Sequence, residues 1–171
     1  IKITLNDTHK IEKEYILSVI FNDILGLDLV YNYNNSIKNY EISLSNEKKL
    51  IIDDIFFDLE KNQKEWKHFH YPDKSFNQTI DLEKSHDIFG MYGKKNITIN
   101  SSSIRIQNDI IGTSFVFLSR IEELNENFDK FGRYQYKNSL ADRFNIITRP
   151  IINEYIELIK DALVTLDSNI I

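Results

Sequence analysis

Residues 115 to 134 read FVFLSRIEELNENFDKFGRY, an apolar run that passes straight into Ser119, Arg120 and the adjacent carboxylates Glu122 and Glu123. Two carboxylates held together repel, and the repulsion separates their proton affinities, so such a pair can act as acid and base or hold a cation. On a continuous helix, residues 119, 122 and 123 share a face while Arg120 points elsewhere. The same residues also describe a buried helix leaving the core for solvent, where clustered charge needs no chemistry. Downstream lie Asp129, Arg133, Arg143, Arg149, Glu154 and Tyr155. Planar guanidinium groups grip carboxylates through two parallel hydrogen bonds, which suits them to locking a loop in place; the same fork also fits a phosphate.

Other residue groups offer weaker chemistry. His68 and His70 in WKHFHYPD fall on one side of an extended segment, a conceivable pair of metal ligands without a partner set at a recognised spacing. SHDIFG, residues 85 to 90, holds the His-Asp pair of metal-dependent polysaccharide deacetylases, but Phe89 stands where their second Asp belongs. FDLEK and IDLEK repeat a carboxylate-x-Lys pattern without an acidic strand pair in register. There is no P-loop, dinucleotide fingerprint, nucleophile elbow or His-Glu-x-x-His. No metal or cofactor is expected.

These side chains need elements to position them. IKITL alternates as a short strand, and Asn6-Asp7-Thr8 offers capping side chains to a helix from Lys10 to Leu25, whose apolar positions Ile11, Tyr15, Val19, Ile20 and Ile24 end at Gly26. LDLVYNYN and NYEISLS read as two strands around an Asn-Asn-Ser turn, a possible hairpin, and KKLIIDDIFF as another. Residues 58 to 86 lack a clear period and suggest a surface excursion. IFGMYGKKNITINSSSIRIQND gives short strands broken by Gly and Ser, with Asn108 and Asp109 as caps for a central helix over Ile110 to Asn125. An irregular loop from Phe128 to Phe144 leads to a terminal helix started by Thr148 and Pro150, with Ile151, Ile152, Tyr155, Ile156, Ile159 and Leu163 as its buried stripe. Without strict strand-helix alternation, the pattern predicts an α+β domain with a mixed sheet and packed helices; a three-layer α/β arrangement is the alternative.

Composition bounds the rest. At 171 residues the chain suits one domain with a real core, and 42% hydrophobic with 27% charged residues is ordinary for a folded protein. A net charge of -5 argues against a nucleic-acid partner, although a local basic patch is compatible with it. The absence of cysteine excludes disulfides and thiolate chemistry and fits a reducing cytoplasm. No apolar run reaches the length of a membrane span, and the opening Ile1 suggests a trimmed chain.

IIGTSFVFLSRIEEL, DKFGRYQYKNSLADRFNIITRPIINEYIELI and EYILSVIFNDILGLDL together resemble a bacterial domain that precedes the polysaccharide deacetylase-like catalytic domain in surface-polysaccharide proteins. The matched positions are Asp109, Phe115, Phe117, Ser119, Arg120, Glu122, Glu123, Asp129, Gly132, Arg133, Ser139, Leu140, Ala141, Arg149, Pro150, Glu154 and Tyr155. Ile121 replaces a common aromatic and Tyr134 the usual Phe. The resemblance implies a single accessory domain over residues 1–171, acting in glycan assembly beside a deacetylase-like domain not included in this chain. The expected function is therefore non-catalytic positioning, with Arg120 and Arg133 bridging Glu122, Glu123 and Asp129, and Arg149 and Glu154 tying in the last helix. Loss of Arg120 would then strand a buried carboxylate. The competing readings are a glycan or sugar-nucleotide enzyme using Glu122 and Glu123 as acid and base with Arg133 and Arg149 on a phosphate, and an assembly domain that pairs through apolar helix faces.

Overall fold

The computed structural model describes residues 1–125 and 128–170. Strands β1 (Lys2–Leu5), β2 (Val30–Tyr33), β3 (Asn39–Ser43), β4 (Lys49–Asp53), β7 (Gly93–Ile99) and β8 (Ser103–Asn108) form one mixed sheet in the order β2-β1-β3-β4-β8-β7. β1, β2, β4 and β8 run the same way, with β3 and β7 against them. β5 (Phe76–Asp81) and β6 (Ser85–Gly90) make a separate antiparallel pair.

Alternation along four of the strands turns Ile3, Leu5, Tyr40, Ile42, Leu50, Ile52, Ile104 and Ile106 to one face, all of them buried. The opposite face carries Glu41, Lys49, Asp53 and Arg105, joined as Lys49–Glu41 at 3.0 Å and Arg105–Asp53 at 2.8 Å. Only the apolar face can bury a helix layer, so the domain is α+β with two layers rather than the three-layer alternative.

The first helix, α1 (Lys10–Leu17), continues as a π-helical stretch through Ser18–Ile24 and ends at Gly26, whose φ of 70° supplies the expected left-handed cap. Its core stripe differs from the expected one. Lys13, Ile16, Leu17, Ile20 and Phe21 face inward at helical spacing, while Ile11 is 79% exposed and Tyr15 50%. A buried lysine in the middle of the stripe disguises it, because hydrophobic pattern reading skips charge. Asn6-Asp7-Thr8 does not cap α1 either: His9 takes the N-cap position without a side-chain bond, and the Asn6 side chain is used elsewhere.

The β2–β3 hairpin does not form. The β1-α1-β2 crossover lays β2 parallel to β1, and β3 pairs with the other edge of β1. The stretch IIDDIFF is also divided, since the strand stops at Asp53 and Phe56–Leu59 is the short helix α2. Residues 58 to 86 are no mere surface excursion, for they contain β5, whose inward Gln78 interrupts the apolar alternation that would have announced it. Trp66 of the 3-10 turn Trp66–His68 packs among Phe56, Phe57 and Phe115, with ring centroids 5.3 to 6.1 Å away.

The central helix α3 (Ile110–Ser119) is buried from Ile110 through Val116, as its unbroken apolar face requires. It stops earlier than expected: Arg120 turns left-handed at φ 54°, and a 3-10 segment, Ile121–Asn125, follows. The loop beyond contains a 3-10 turn, Tyr136–Asn138, and the short helix α4 (Leu140–Arg143), capped by the Ser139 hydroxyl on the Asp142 amide. The last helix, α5 (Ile151–Leu166), buries Ile151, Tyr155, Ile156, Ile159 and Leu163 as predicted, with Ile152 half-buried. Its N-cap is Pro150, and no side chain caps it.

Gly112 in the first turn of α3 has no room for a side chain, because a Cβ would stand 2.5 Å from the Phe56 Cβ and 2.6 Å from Asp109 Oδ2. Gly112→Ala is therefore expected to push α2 off α3 and cost about 1–3 kcal/mol in a denaturant melt; an unchanged melt would mean that this junction yields freely.

Candidate functional site

In parallel sheets, the carboxyl ends of strands are where side chains from separate elements converge. Here the residues that follow β1, β4 and β8 are Asn6, Asp54 and Asp109; the first two side chains meet in a sealed cluster beneath α1, and Asp109 is buried near enough to feel the Asp54 charge. Lys13 Nζ reaches it from α1, donating to Asp54 Oδ2 at 2.6 Å and to Asn6 Oδ1 at 2.7 Å. Asn6 Nδ2 donates to the same Asp54 oxygen at 3.1 Å and the Tyr40 hydroxyl to Asp54 Oδ1 at 3.3 Å. Lys13 and Asp54 have no exposed side-chain surface, so the pair sits where charge is tolerated only because the two groups bond each other and neighbouring polar side chains.

Asp109 is the second acid. Its Oδ2 accepts the amides of Ile55 and Phe56, both at 2.8 Å, and its Oδ1 accepts the Gly112 amide at 2.7 Å. One carboxyl group thus fastens the N-terminal ends of two helices, α2 and α3, to the end of β8. Burial and the Asp54 charge push it up to about 7, against the three amides that lower it. Burial, followed by Asp54, likewise holds the Tyr40 hydroxyl well above the usual tyrosine range.

The charged residues singled out from the sequence are not drawn into one site. Arg120 pairs with Glu123 three residues on, and its side chain is 73% exposed, so its loss strands no buried charge. Glu122 accepts the Leu140 amide at 2.7 Å and so holds the start of α4; burial lifts its carboxyl above the usual range, partly offset by that amide. Arg133 closes on Asp129 at 2.8 Å in an exposed turn, where its amide and guanidinium keep the Asp129 carboxyl below its usual range. The Ser119 hydroxyl donates to the Phe115 carbonyl at 2.6 Å, and the buried Tyr155 hydroxyl to the Phe89 carbonyl at 2.8 Å. The proposed bridging of Glu122, Glu123 and Asp129 by Arg120 and Arg133 therefore resolves into separate local contacts. The early end of α3 at Arg120 is the reason, since it abolishes the shared helical face.

Arg149 does what was expected of it and more. It grips Glu154 through Nε at 3.1 Å and Nη2 at 2.6 Å, and reaches Asn77 Oδ1 at 2.5 Å and the Asp87 carbonyl at 2.9 Å. It pins the β5–β6 hairpin to the first turn of α5. Below it, His86 Nε2 and Asp161 Oδ2 stand 2.8 Å apart, a second tie between hairpin and helix. The His86-Asp87 pair is thus split, with one side chain inward and the other outward. His68 and His70 are both exposed, and among the described residues no group of three or more His, Asp or Glu is placed to hold a metal ion.

Sequence reasoning passed over Lys13 and Asp54 and gave Asn6 a capping role, because each lies in a stretch assigned to an ordinary element. One signal was present: the adjacent Asp53-Asp54 at the end of an apolar strand, where the alternating faces send one acid outward and the next inward.

Lys13→Ala is expected to leave Asp54 buried and unpaired, costing about 3–5 kcal/mol; a loss under about 1 kcal/mol in urea unfolding would show that water replaces the ammonium at no penalty. Asp109 gives a pH signature. The fold retains its proton up to about pH 7, whereas an unfolded chain releases it near about pH 4. Its contribution is complete below about pH 4 and is lost as the pH rises from there to 7. Asp109→Asn cannot titrate, so the stability advantage of the natural chain over this variant should narrow between about pH 4 and about pH 7. A gap that stays constant would mean that Asp109 is ionised throughout that range.

No curated protein and no solved structure matches the chain. A family model does match, over residues 1–168, described as a family of unknown function, DUF7033. The match covers both the sealed cluster and the charged segments around α3 and α5, and the chain belongs to that family.

Proposed function

We propose that this domain is a non-catalytic accessory module that positions the substrate or the catalytic part of a polysaccharide deacetylase-like protein in bacterial surface-glycan biosynthesis, working in the cytoplasm. The observation that carries the reading is how the charged side chains are spent. Glu122 holds α4, Glu123 faces Arg120, Arg133 closes on its neighbour Asp129, and Arg149 clamps a hairpin. An acid, a base and a phosphate clamp have to face one another across a cleft to share a substrate. The carboxyl group with the largest upward displacement, Asp109, is sealed from solvent and occupied with two helix starts. Such a domain offers shape and rigidity rather than reactive groups. No described helix is long and apolar enough to cross a membrane.

A thermal-shift series with sugar nucleotides and glycan fragments tests the reading, because a ligand that binds the native state raises its melting temperature. The expected result is no shift with free ligands, and a gain in kcat/KM when the domain is added to a deacetylase-like catalytic domain. A ligand-induced shift that Arg133→Ala or Glu123→Ala abolishes would instead make this a binding or catalytic domain in its own right.

A further inference from the structure

An open sheet ends in two strands whose outer N–H and C=O groups have no neighbour, and such an edge invites another strand unless lysine, proline or a bulge blunts it. The edges of the six-stranded sheet are β7 and β2, and they differ. β7 carries Lys94 and Lys95, and its register with β8 shifts between Gly93 and Ile97, so that edge is protected. β2 reads Val-Tyr-Asn-Tyr, with no charged residue, no proline and an unbroken register against β1. It is also open to solvent, with Val30 63% exposed and Tyr33 37%.

Pairing with β1 fixes which backbone groups of β2 face outward. The Val30 amide donates to the Ile1 carbonyl at 2.9 Å and the Asn34 amide to the Leu5 carbonyl at 2.8 Å. Alternation then turns the N–H and C=O of Tyr31 and Tyr33 out of the sheet, where no described strand pairs with them. Their side chains stand on the helix-bearing face, level with Ile3 and Leu5, and α1 holds both rings. The Tyr31 hydroxyl donates to the Glu14 carbonyl at 3.2 Å and the Tyr33 hydroxyl to the Glu14 carboxylate, while Lys10 Nζ lies 4.4 Å from the centre of the Tyr33 ring. This edge is complementary to itself. Run a second β2 antiparallel to the first about a two-fold axis at Asn32, and Tyr31 faces Tyr33 of the partner subunit in a pair that exchanges both N–H···O bonds. Symmetry repeats the pair on the other side of the axis. The same register sets ring against ring across the seam, and brings the Tyr33 end, which carries Lys10, beside the Tyr31 that leans on Glu14.

We propose that β2 is the seam of a symmetric dimer, in which a second copy of this chain adds its own β2 antiparallel with Asn32 on the axis and joins the two sheets into one. A two-fold interface uses the same patch twice, so the patch has to match itself, and β2 does so in backbone, ring and charge. The inference concerns how copies of the chain associate and does not depend on the accessory-module reading.

The test is analytical ultracentrifugation of this chain from micromolar to millimolar concentration, where a reversible monomer–dimer equilibrium is expected. Asn32 is exposed, with its side-chain amide 3.3 Å from the Thr4 hydroxyl, so it can be replaced without disturbing the core. Asn32→Lys sets like charges opposite each other on the axis and should weaken the dimer about fivefold, as should Asn32→Asp. An equimolar mixture of the two variants should recover the dimer, because opposite charges then meet; a folding defect would not be repaired by mixing. A chain that stays monomeric throughout the range overturns the proposal. So does a dimer that Asn32→Lys leaves intact, which would place the interface elsewhere, or a mixture that associates no better than either variant alone. A monomeric chain that binds a fluorescein-labelled Thr-Val repeat peptide, with the binding weakened by Tyr33→Pro in a variant that melts as the natural chain does, would give the edge to a strand of another protein and likewise overturn the dimer.

Discussion

The Lys13–Asp54 pair is the constraint around which the rest of the domain is arranged. A lysine without exposed side-chain surface and an aspartate in the same position are each costly to remove from water, and their mutual contact, with further hydrogen bonds to Asn6 and Tyr40, makes the site habitable. To satisfy it, α1 has to lie across the ends of β1 and β4 at one height and one rotation. That placement turns Ile16, Leu17, Ile20 and Phe21 into the core and leaves Ile11 and Tyr15 outside. Asp109 extends the arrangement to β8, α2 and α3 through three backbone amides. The polar centre thus specifies how apolar surfaces are matched, while those surfaces supply most of the stabilising free energy.

Much of the architecture was legible in the sequence. The strand at IKITL, the Asp109 cap, the fully buried α3 and the stripe of α5 are where local preference and tertiary demand agree, so period and capping chemistry suffice. The misreadings have specific causes. Lys13 hid the inner face of α1, Gln78 interrupted β5, and the β2–β3 reversal was read from turn chemistry that could not reveal the crossover placing β1 between them. Arg120 shows a different limit. Arginine is an ordinary helix former, and nothing in SRIEEL announces a left-handed backbone that ends α3 before Glu122 and Glu123 can join its face.

The charged residues and the sealed cluster illustrate two uses of ionic groups. Around α3, α4 and α5 the pairs are largely exposed and local, each shaping a turn, a cap or a hairpin contact, and individually they contribute little to stability. Inside, the same chemistry is decisive because no solvent competes with it. The segment between α3 and α5 combines the two: Glu122 holds the start of α4 from a half-buried position, while Arg120 and Arg133 pair with acids three and four residues away. The Arg149 clamp keeps that segment aligned with the β5–β6 hairpin.

The pairing of β4 with β8 bears on the time the chain needs to reach its fold. Lys49 lies beside Ser103, so the two halves of the sheet meet only after more than fifty intervening residues have been looped out. Closing such a loop is entropically uphill before any contact rewards it, and parallel pairings of this separation belong to chains that fold on the order of milliseconds to seconds. Asp54 and Asp109 directly follow those two strands, and each reaches its buried partners only when the register is correct. A slip by one residue would turn the inward acid outward and its neighbour inward. The sealed charges thus act as a proofreader of strand alignment, rejecting near-miss topologies that an all-apolar centre would tolerate.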